Sequence, residues 1–415
     1  MITPQKWILI FIAVFLIIEL FLHILLIKLR SRFSNMIITG KDKLPAIDKN
    51  GLNKFLKIGY DPELGWVRKP NTSKTEKSFS GVSSYHINSY GSRRNPTHEN
   101  LRIKVDTFGD SYTFGRHIND NETWQFWLAE FLKCNVTNFG VGNYGLDQAF
   151  LRFKRESGSL KGNIVIMGIV PETIKRNLSV WKHYNEFGNT LGFKPRFKIE
   201  RGKLKLVPNP IDNEAKFFEI KKHLCCINQE DFFYEEKFKN YLFTFPYALS
   251  ILKSPKRKLS LLFFYSVACF LEIFHINWKK MKIIPKTRIT RHISFNLQDK
   301  MKYYRSKALL DLTARIIKEF SQLAKSKGKK PIFIIMPEYD DIEYIKRTGH
   351  VFYKPLLNRL RRLIPALDLS KALLNEGDIE ELYVNKEYGG HYNSKGNKIV
   401  AHSLYNFIGQ HCLRH

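Results

Sequence analysis

From Trp7 to Ile27 the chain runs for 21 residues, WILIFIAVFLIIELFLHILLI, interrupted only by Glu19 and His23. At about 1.5 Å of rise per residue, a helix of that length covers roughly 30 Å, the thickness of a bilayer's hydrocarbon core. The run is too long for a cleaved signal. It is followed by Lys28-Leu29-Arg30-Ser31-Arg32 and not by a small-residue cleavage site. The segment therefore reads as an uncleaved single-pass anchor, with residues 1–35 as membrane attachment and the rest of the chain on one side. Glu19 and His23 lie four apart on one helix face, where they mark either a helix–helix contact or a tolerated polar pair. Taken literally, the basic residues after the span keep the large domain cytoplasmic. Long domains translocate largely regardless of such charges, so the count leaves the side open.

The remainder is rich enough in apolar residues, 44% over 415 positions, to build a packed core, and this excludes a mainly disordered chain. Its charge is lopsided: 68 Lys and Arg against 38 Asp and Glu give +30. That balance attracts nucleic acid, anionic lipid or acidic polysaccharide without choosing among them, and compositional drift toward Lys produces it as readily. No recognisable nucleic-acid-binding motif is present, and no nucleic acid partner is expected. The five cysteines (Cys134, Cys225, Cys226, Cys269, Cys412) are too scattered for a disulfide framework. No Cys/His group has zinc spacing, so no metal is expected.

Residues 36–100 are polar and punctuated by Gly59-Tyr60-Asp61-Pro62, Gly65-Trp66 and Lys69-Pro70-Asn71, the pattern of an extended arm of turns and short strands on the core. A strand-like run, residues 102–108, then ends abruptly in Gly109-Asp110-Ser111. Asp120-Asn121-Glu122-Thr123-Trp124 opens a helix whose Trp124, Trp127, Leu128, Phe131 and Leu132 recur at helical spacing, as core residues do. Further strands are predicted at 136–139, 164–170 and 331–337, with helices over about 305–327 and 341–362 and a short apolar run at 363–369. This rhythm predicts an α/β fold, a three-layer sandwich with a parallel sheet between helices, formed by residues 101–184 and 305–415. Residues 185–304 break the rhythm and read as a basic, aromatic-rich insertion. Its apolar stretch 259–274 is short for a span, and a helix buried or lying at the membrane surface fits it better.

Two places carry chemistry. A serine at the sharp end of a buried strand, as in Phe108-Gly109-Asp110-Ser111-Tyr112-Thr113-Phe114-Gly115, is exposed on a turn where backbone amides can stabilise an oxyanion. A Gly-Asp-Ser tripeptide alone is weak, because turns everywhere use these residues. The second place is Gly389-Gly390-His391-Tyr392-Asn393-Ser394-Lys395-Gly396-Asn397, where a histidine stands just before the last helix, about 398–408. A lone late histidine is usually a cap or surface residue. It is also what a serine nucleophile needs as general base.

In these blocks the sequence resembles the SGNH (GDSL-type) esterase and acyltransferase superfamily, whose fold is flavodoxin-like. Gly109-Asp110-Ser111 matches its first block. Asn138-Phe139-Gly140-Val141-Gly142-Asn143-Tyr144-Gly145 is similar to the second and His391-Tyr392-Asn393-Ser394 to the last, over about 55–185 and 305–412. The resemblance implies Ser111 as nucleophile, His391 as base, and an oxyanion hole from Ser111, Gly140 or Gly142 and Asn143, without a cofactor. Two departures stand out. No asparagine follows the strand 164–170, where Pro171-Glu172-Thr173 occurs instead. The position three before the histidine, usually aspartate, is Tyr388, so either Glu387 orients His391 or a backbone carbonyl does. The implied activity is a membrane-anchored serine esterase removing an O-acetyl or similar acyl group from a glycan or lipid-linked substrate. An O-acyltransferase acting on an envelope polysaccharide is the alternative, as is an inactive binding or assembly protein of the same fold.

Overall fold

The structure is a computed structural model. It describes residues 3–33, 36–78, 81–276, 297–385 and 390–412. The chain divides into two compact units, one of residues 1–52, 179–193 and 213–296, the other of 53–178, 194–212 and 297–415.

The larger unit is built on a five-stranded sheet. In chain order its strands are β1 (Ile103–Gly109), β2 (Asn135–Asn138), β3 (Ile164–Ile169), β4 (Lys330–Ile335) and β5 (Ala366–Asp368), and in space they run β5-β4-β3-β1-β2. Every pairing is parallel. Parallel neighbours need helical crossovers, which bury both sheet faces; β3 and all but the first residue of β4 are accordingly apolar and buried. On one face lie α1 (Trp124–Leu132) and the final helix α5 (Ser394–His411). Their Trp124, Leu128, Val400 and Leu404 meet Val105, Ile166 and Ile334 in one apolar cluster. On the other face lie α2 (Leu146–Glu156) and α3 (Lys307–Ser326), joined by Phe153 and Phe320 with ring centres 5.0 Å apart. The result is the expected α/β sandwich.

Two local readings change. The helix expected over 341–362 is two helices, α4 (Tyr339–Thr348) and a shorter one at Lys354–Leu360. Gly349 takes a left-handed conformation (φ 67°) that caps α4 and turns the chain. Within the insertion, residues 194–212 belong with the sheet unit. Lys194 forms a buried ion pair with Asp147 in the first turn of α2, 2.5 Å apart, and a hairpin of Arg196–Glu200 with Lys203–Val207 follows.

The smaller unit contains the N-terminal helix Pro4–Arg32, among the described residues the one helix long and apolar enough to cross a membrane. Its first four turns are bare, whereas Glu19, Leu22, Leu26 and Leu29 are buried. Glu19 accepts the backbone amides of Tyr247 and Ala248, both at 2.6 Å, and His23 stacks on Tyr247. The polar pair of the apolar run is therefore a helix–helix contact. The stretch 259–274 lies in a helix, Pro255–Ile273.

Candidate active site

Strand order reverses between β1 and β3: the chain passes from β1 outward to β2, then returns to the other side of β1. In open α/β sheets the crevice beyond the strand ends at such a reversal is where sites form. There β1 ends with Gly109 facing Gly168 of β3. A Cβ on Gly109 would stand 2.0 Å from the Gly168 carbonyl oxygen and 2.2 Å from Thr113 Oγ1, so only glycine permits this exit.

Asp110 then caps a single helical turn, Ser111–Phe114, by accepting the Tyr112 amide at 2.9 Å. Its other oxygen accepts the Val170 amide at 2.9 Å and the Thr173 hydroxyl at 3.1 Å. One carboxylate thus fastens the serine turn to the end of β3. Burial raises the Asp110 pKa, opposed by the Arg176 guanidinium 3.9 Å away and by those hydrogen bonds.

His391 arrives from the other end of the chain. Its Nε2 lies 2.9 Å from Ser111 Oγ, across 280 residues of sequence. The loop that carries it is held on every side. The His391 carbonyl accepts the Val384 amide at 2.7 Å, and the Asn393 amide donates to Leu382. Asn393 caps α5, and the Asn397 side chain accepts the Trp124 amide at the start of α1. Tyr383 and Tyr392 both donate their hydroxyls to the Pro337 carbonyl at the end of β4. Tyr112, next to the serine, donates its hydroxyl to the Gly390 carbonyl, with its ring centre 4.9 Å from the imidazole. Nothing in the sequence distinguishes this tyrosine from a core aromatic. Glu387 and Tyr388 lie outside the described residues.

The amide expectations sort unequally. The Gly140 amide donates to the Asn138 side chain at 3.0 Å, and a Cβ there would stand 2.3 Å from the Phe114 amide nitrogen. Gly140 is thus a close-packing glycine whose amide is already spent. The Ser111 and Gly142 amides have no hydrogen bond among the described residues. Asn143, beside Gly142, is half-buried with φ 64°. Where the missing asparagine would stand, Glu172 is buried in ion pairs with Lys175 (2.6 Å) and Arg176 (2.8 Å). Burial pushes its carboxyl up, but those two cations outweigh that and hold it below the ordinary range.

Basic side chains gather around the pair, with the Glu76 carboxylate 3.9 Å from Arg116 Nε among them. The buried Arg93 bonds Asp120 (2.7 Å) and the carbonyls of Phe114, Gly115 and Ile118, fixing the loop that presents Arg116 and His117. The His117 ring lies 5.3 Å from that of His391. Arg116 Nε, His117 Nδ1 and Arg68 Nε are buried without a hydrogen-bond partner among the described residues, and Arg68 lies near Gly142. Burial first, then the charges of Arg116, His117 and Arg176, hold the His391 pKa well below the ordinary histidine range. Arg116 and His117 follow the serine by five and six residues. Without the fold, that spacing could not be told from an ordinary basic turn.

No protein-family model matches the chain, and no curated protein matches it in sequence. Among solved structures it is similar to a member of the lipolytic protein G-D-S-L family from Veillonella parvula, with 9% identity, 75% of this chain and 100% of that one covered, and a TM-score of 0.34. It is similar also to the lipase/acylhydrolase from Enterococcus faecalis, with 10% identity, 75% and 99% covered, and a TM-score of 0.35. A third is LAE5, an alpha/beta hydrolase enzyme from the metagenome of Lake Arreo, with 11% identity, 78% and 100% covered, and a TM-score of 0.34.

Proposed function

We propose that this chain is a serine esterase of the SGNH type, attached to a membrane through the helix Pro4–Arg32, acting on acyl esters whose carrier bears negative charge. The observation that carries the reading is the 2.9 Å contact between Ser111 Oγ and His391 Nε2 at the sheet's reversal point. A serine hydroxyl is a poor nucleophile unless a neutral base takes its proton, and a half-buried imidazole beside cations favours its neutral form. Ser111 Oγ attacks the ester carbonyl carbon as His391 accepts the proton. The oxygen, now negative, is held by the Ser111 and Gly142 amides. When the intermediate collapses, His391 returns the proton to the departing alkoxide, leaving an acyl-serine. Water, or the hydroxyl of an acceptor sugar, then attacks the acyl carbon as His391 takes its proton. His391 passes that proton to Ser111 Oγ as the acyl–oxygen bond breaks, which releases the acyl product and restores the serine. Arg116 and Arg68 supply the charge that favours an anionic carrier, and His117, whose pKa burial and then Arg116 lower, stands beside them as a neutral hydrogen-bonding group.

The test uses the full chain in detergent or vesicles. Ser111→Ala should abolish hydrolysis of short acyl esters and labelling by a serine-directed phosphonate while the protein remains folded. Turnover like that of the wild type in Ser111→Ala would overturn the reading.

A further inference from the structure

We propose that residues 245–274 of the smaller unit are embedded in the same leaflet as the exit half of the anchor, so that a short dipping helix and a surface helix hold the protein to lipid together with the span. The inference rests on reading Pro4–Arg32 as a span.

Glu19 is the starting point. It precedes the end of the apolar run, Ile27, by eight residues, which is about 12 Å of helix. Whatever its carboxylate touches is at that depth. A carboxylate in hydrocarbon is costly unless its hydrogen bonds are satisfied, and backbone amides at membrane depth need acceptors equally. Here each satisfies the other. Glu19, only 4% exposed, accepts the first amides of the helix Tyr247–Lys253. Pro246 before them has no N–H to satisfy, and the Thr244 amide donates to Ser250 Oγ at 3.1 Å. At the other end of the short helix, Lys258 Nζ donates to the Ser250 carbonyl at 2.7 Å. The Thr244, Tyr247 and Ala248 amides and the Ser250 carbonyl of a dipping segment are thus met by the protein itself.

The next helix, Pro255–Ile273, meets the anchor where it leaves the apolar run. Arg32 pairs with Glu272 at 2.9 Å, and the rings of Phe33 and Tyr265 are 4.4 Å apart. That level is the head-group boundary. From Leu261 on, the face it turns inward is apolar (Leu261, Leu262, Tyr265, Ala268, Cys269), and the buried Lys258 before it is the lysine that meets the Ser250 carbonyl. Its outward stripe is apolar as well: Leu259, Phe263, Phe270 and Ile273 recur on one side, Phe263 being 64% exposed. Leu249 and Leu252 on the short helix are exposed too, Leu252 at 70%. A helix apolar on both faces belongs in a core or against lipid. The anchor, whose Phe21, Ile24 and Ile27 are exposed as well, packs against both of these helices. Lipid acyl chains, which surround a span, are the occupant that this adjacency specifies.

The test places the photoreactive residue p-benzoylphenylalanine, one site at a time, at Phe11, Leu252, Phe263 and Tyr90 of the full chain. The chain is held in phosphatidylcholine–phosphatidylglycerol vesicles whose acyl chains are radiolabelled. Phe11 reports on the span, and Tyr90, 74% exposed on the sheet unit, is the aqueous control. Lipid adducts at Leu252 and Phe263 in a yield like that at Phe11, with none at Tyr90, are the expected result. Adducts at Phe11 but none at Leu252 and Phe263, or only crosslinks to a second copy there, would overturn the proposal and leave the anchor standing. Adducts at Leu252 alone would overturn the placement of Pro255–Ile273. No adduct at Phe11 would remove the span itself, and the inference with it.

Discussion

Tyr112→Phe isolates the contact by which one half of the proposed site holds the other. The Tyr112 hydroxyl is buried and donates to the carbonyl of Gly390, the residue before the base. The ring stays after substitution, edge-on to Tyr392 with centres 4.8 Å apart and 4.9 Å from His391, so one oxygen is removed and little packing is lost. A buried carbonyl left without its donor costs about 1–3 kcal/mol. If the loop stays in place, that cost appears as lost stability. If the loop moves to find another donor, it takes His391 from Ser111, and the same energy corresponds to roughly a 5- to 150-fold loss of turnover. The assay pairs kcat and KM for a short acyl ester with thermal unfolding of the same preparation. A fall in kcat with KM little changed is expected, with the unfolding temperature lowered to a complementary extent. Wild-type values in both measurements would refute the idea that this hydroxyl positions the histidine loop.

The acid limb of the rate profile should lie below pH 6.5, because burial and neighbouring cations depress the His391 pKa and the base stays neutral as pH falls past the ordinary histidine value. A limb centred near pH 6.5 or above in kcat/KM would contradict that environment. Asp110→Asn replaces the carboxylate that gathers the Tyr112 amide, the Val170 amide and the Thr173 hydroxyl with a group offering one acceptor oxygen. Hydrogen bonds to charged groups contribute about 1.5–3 kcal/mol each, so unfolding should come a few kcal/mol sooner and activity should fall with it. Arg116→Met should raise KM for an anionic ester while leaving a neutral ester of the same acyl group nearly unchanged, a difference that added salt should erase in the wild type. Equal effects on both esters would remove Arg116 from carrier selection.

Much of this architecture follows from local pattern. The long apolar run reads as a helix. The short continuous apolar runs at 164–170 and 331–337, spaced by helical periodicity, read as buried strands of a parallel sheet, which the structure places at Ile164–Ile169 and Lys330–Ile335. Gly109-Asp110-Ser111 and the glycine-flanked His391 were legible because a strand exit and a helix start each restrict which residues can stand there. What was not legible depends on partners far away in sequence. The Gly140 amide looks like an oxyanion donor until the Asn138 side chain is found accepting it. The 341–362 helix looks continuous until Gly349 adopts its left-handed turn. Lys194 and the hairpin after it pass for part of an insertion until Asp147 pairs with that lysine. Glu19 reads equally as a flaw or a contact until two amides from residues 247 and 248 meet it. Periodicity and turn chemistry act over a few residues and are written in the sequence. A hydrogen bond across 280 residues is decided only when the sheet brings its two ends together.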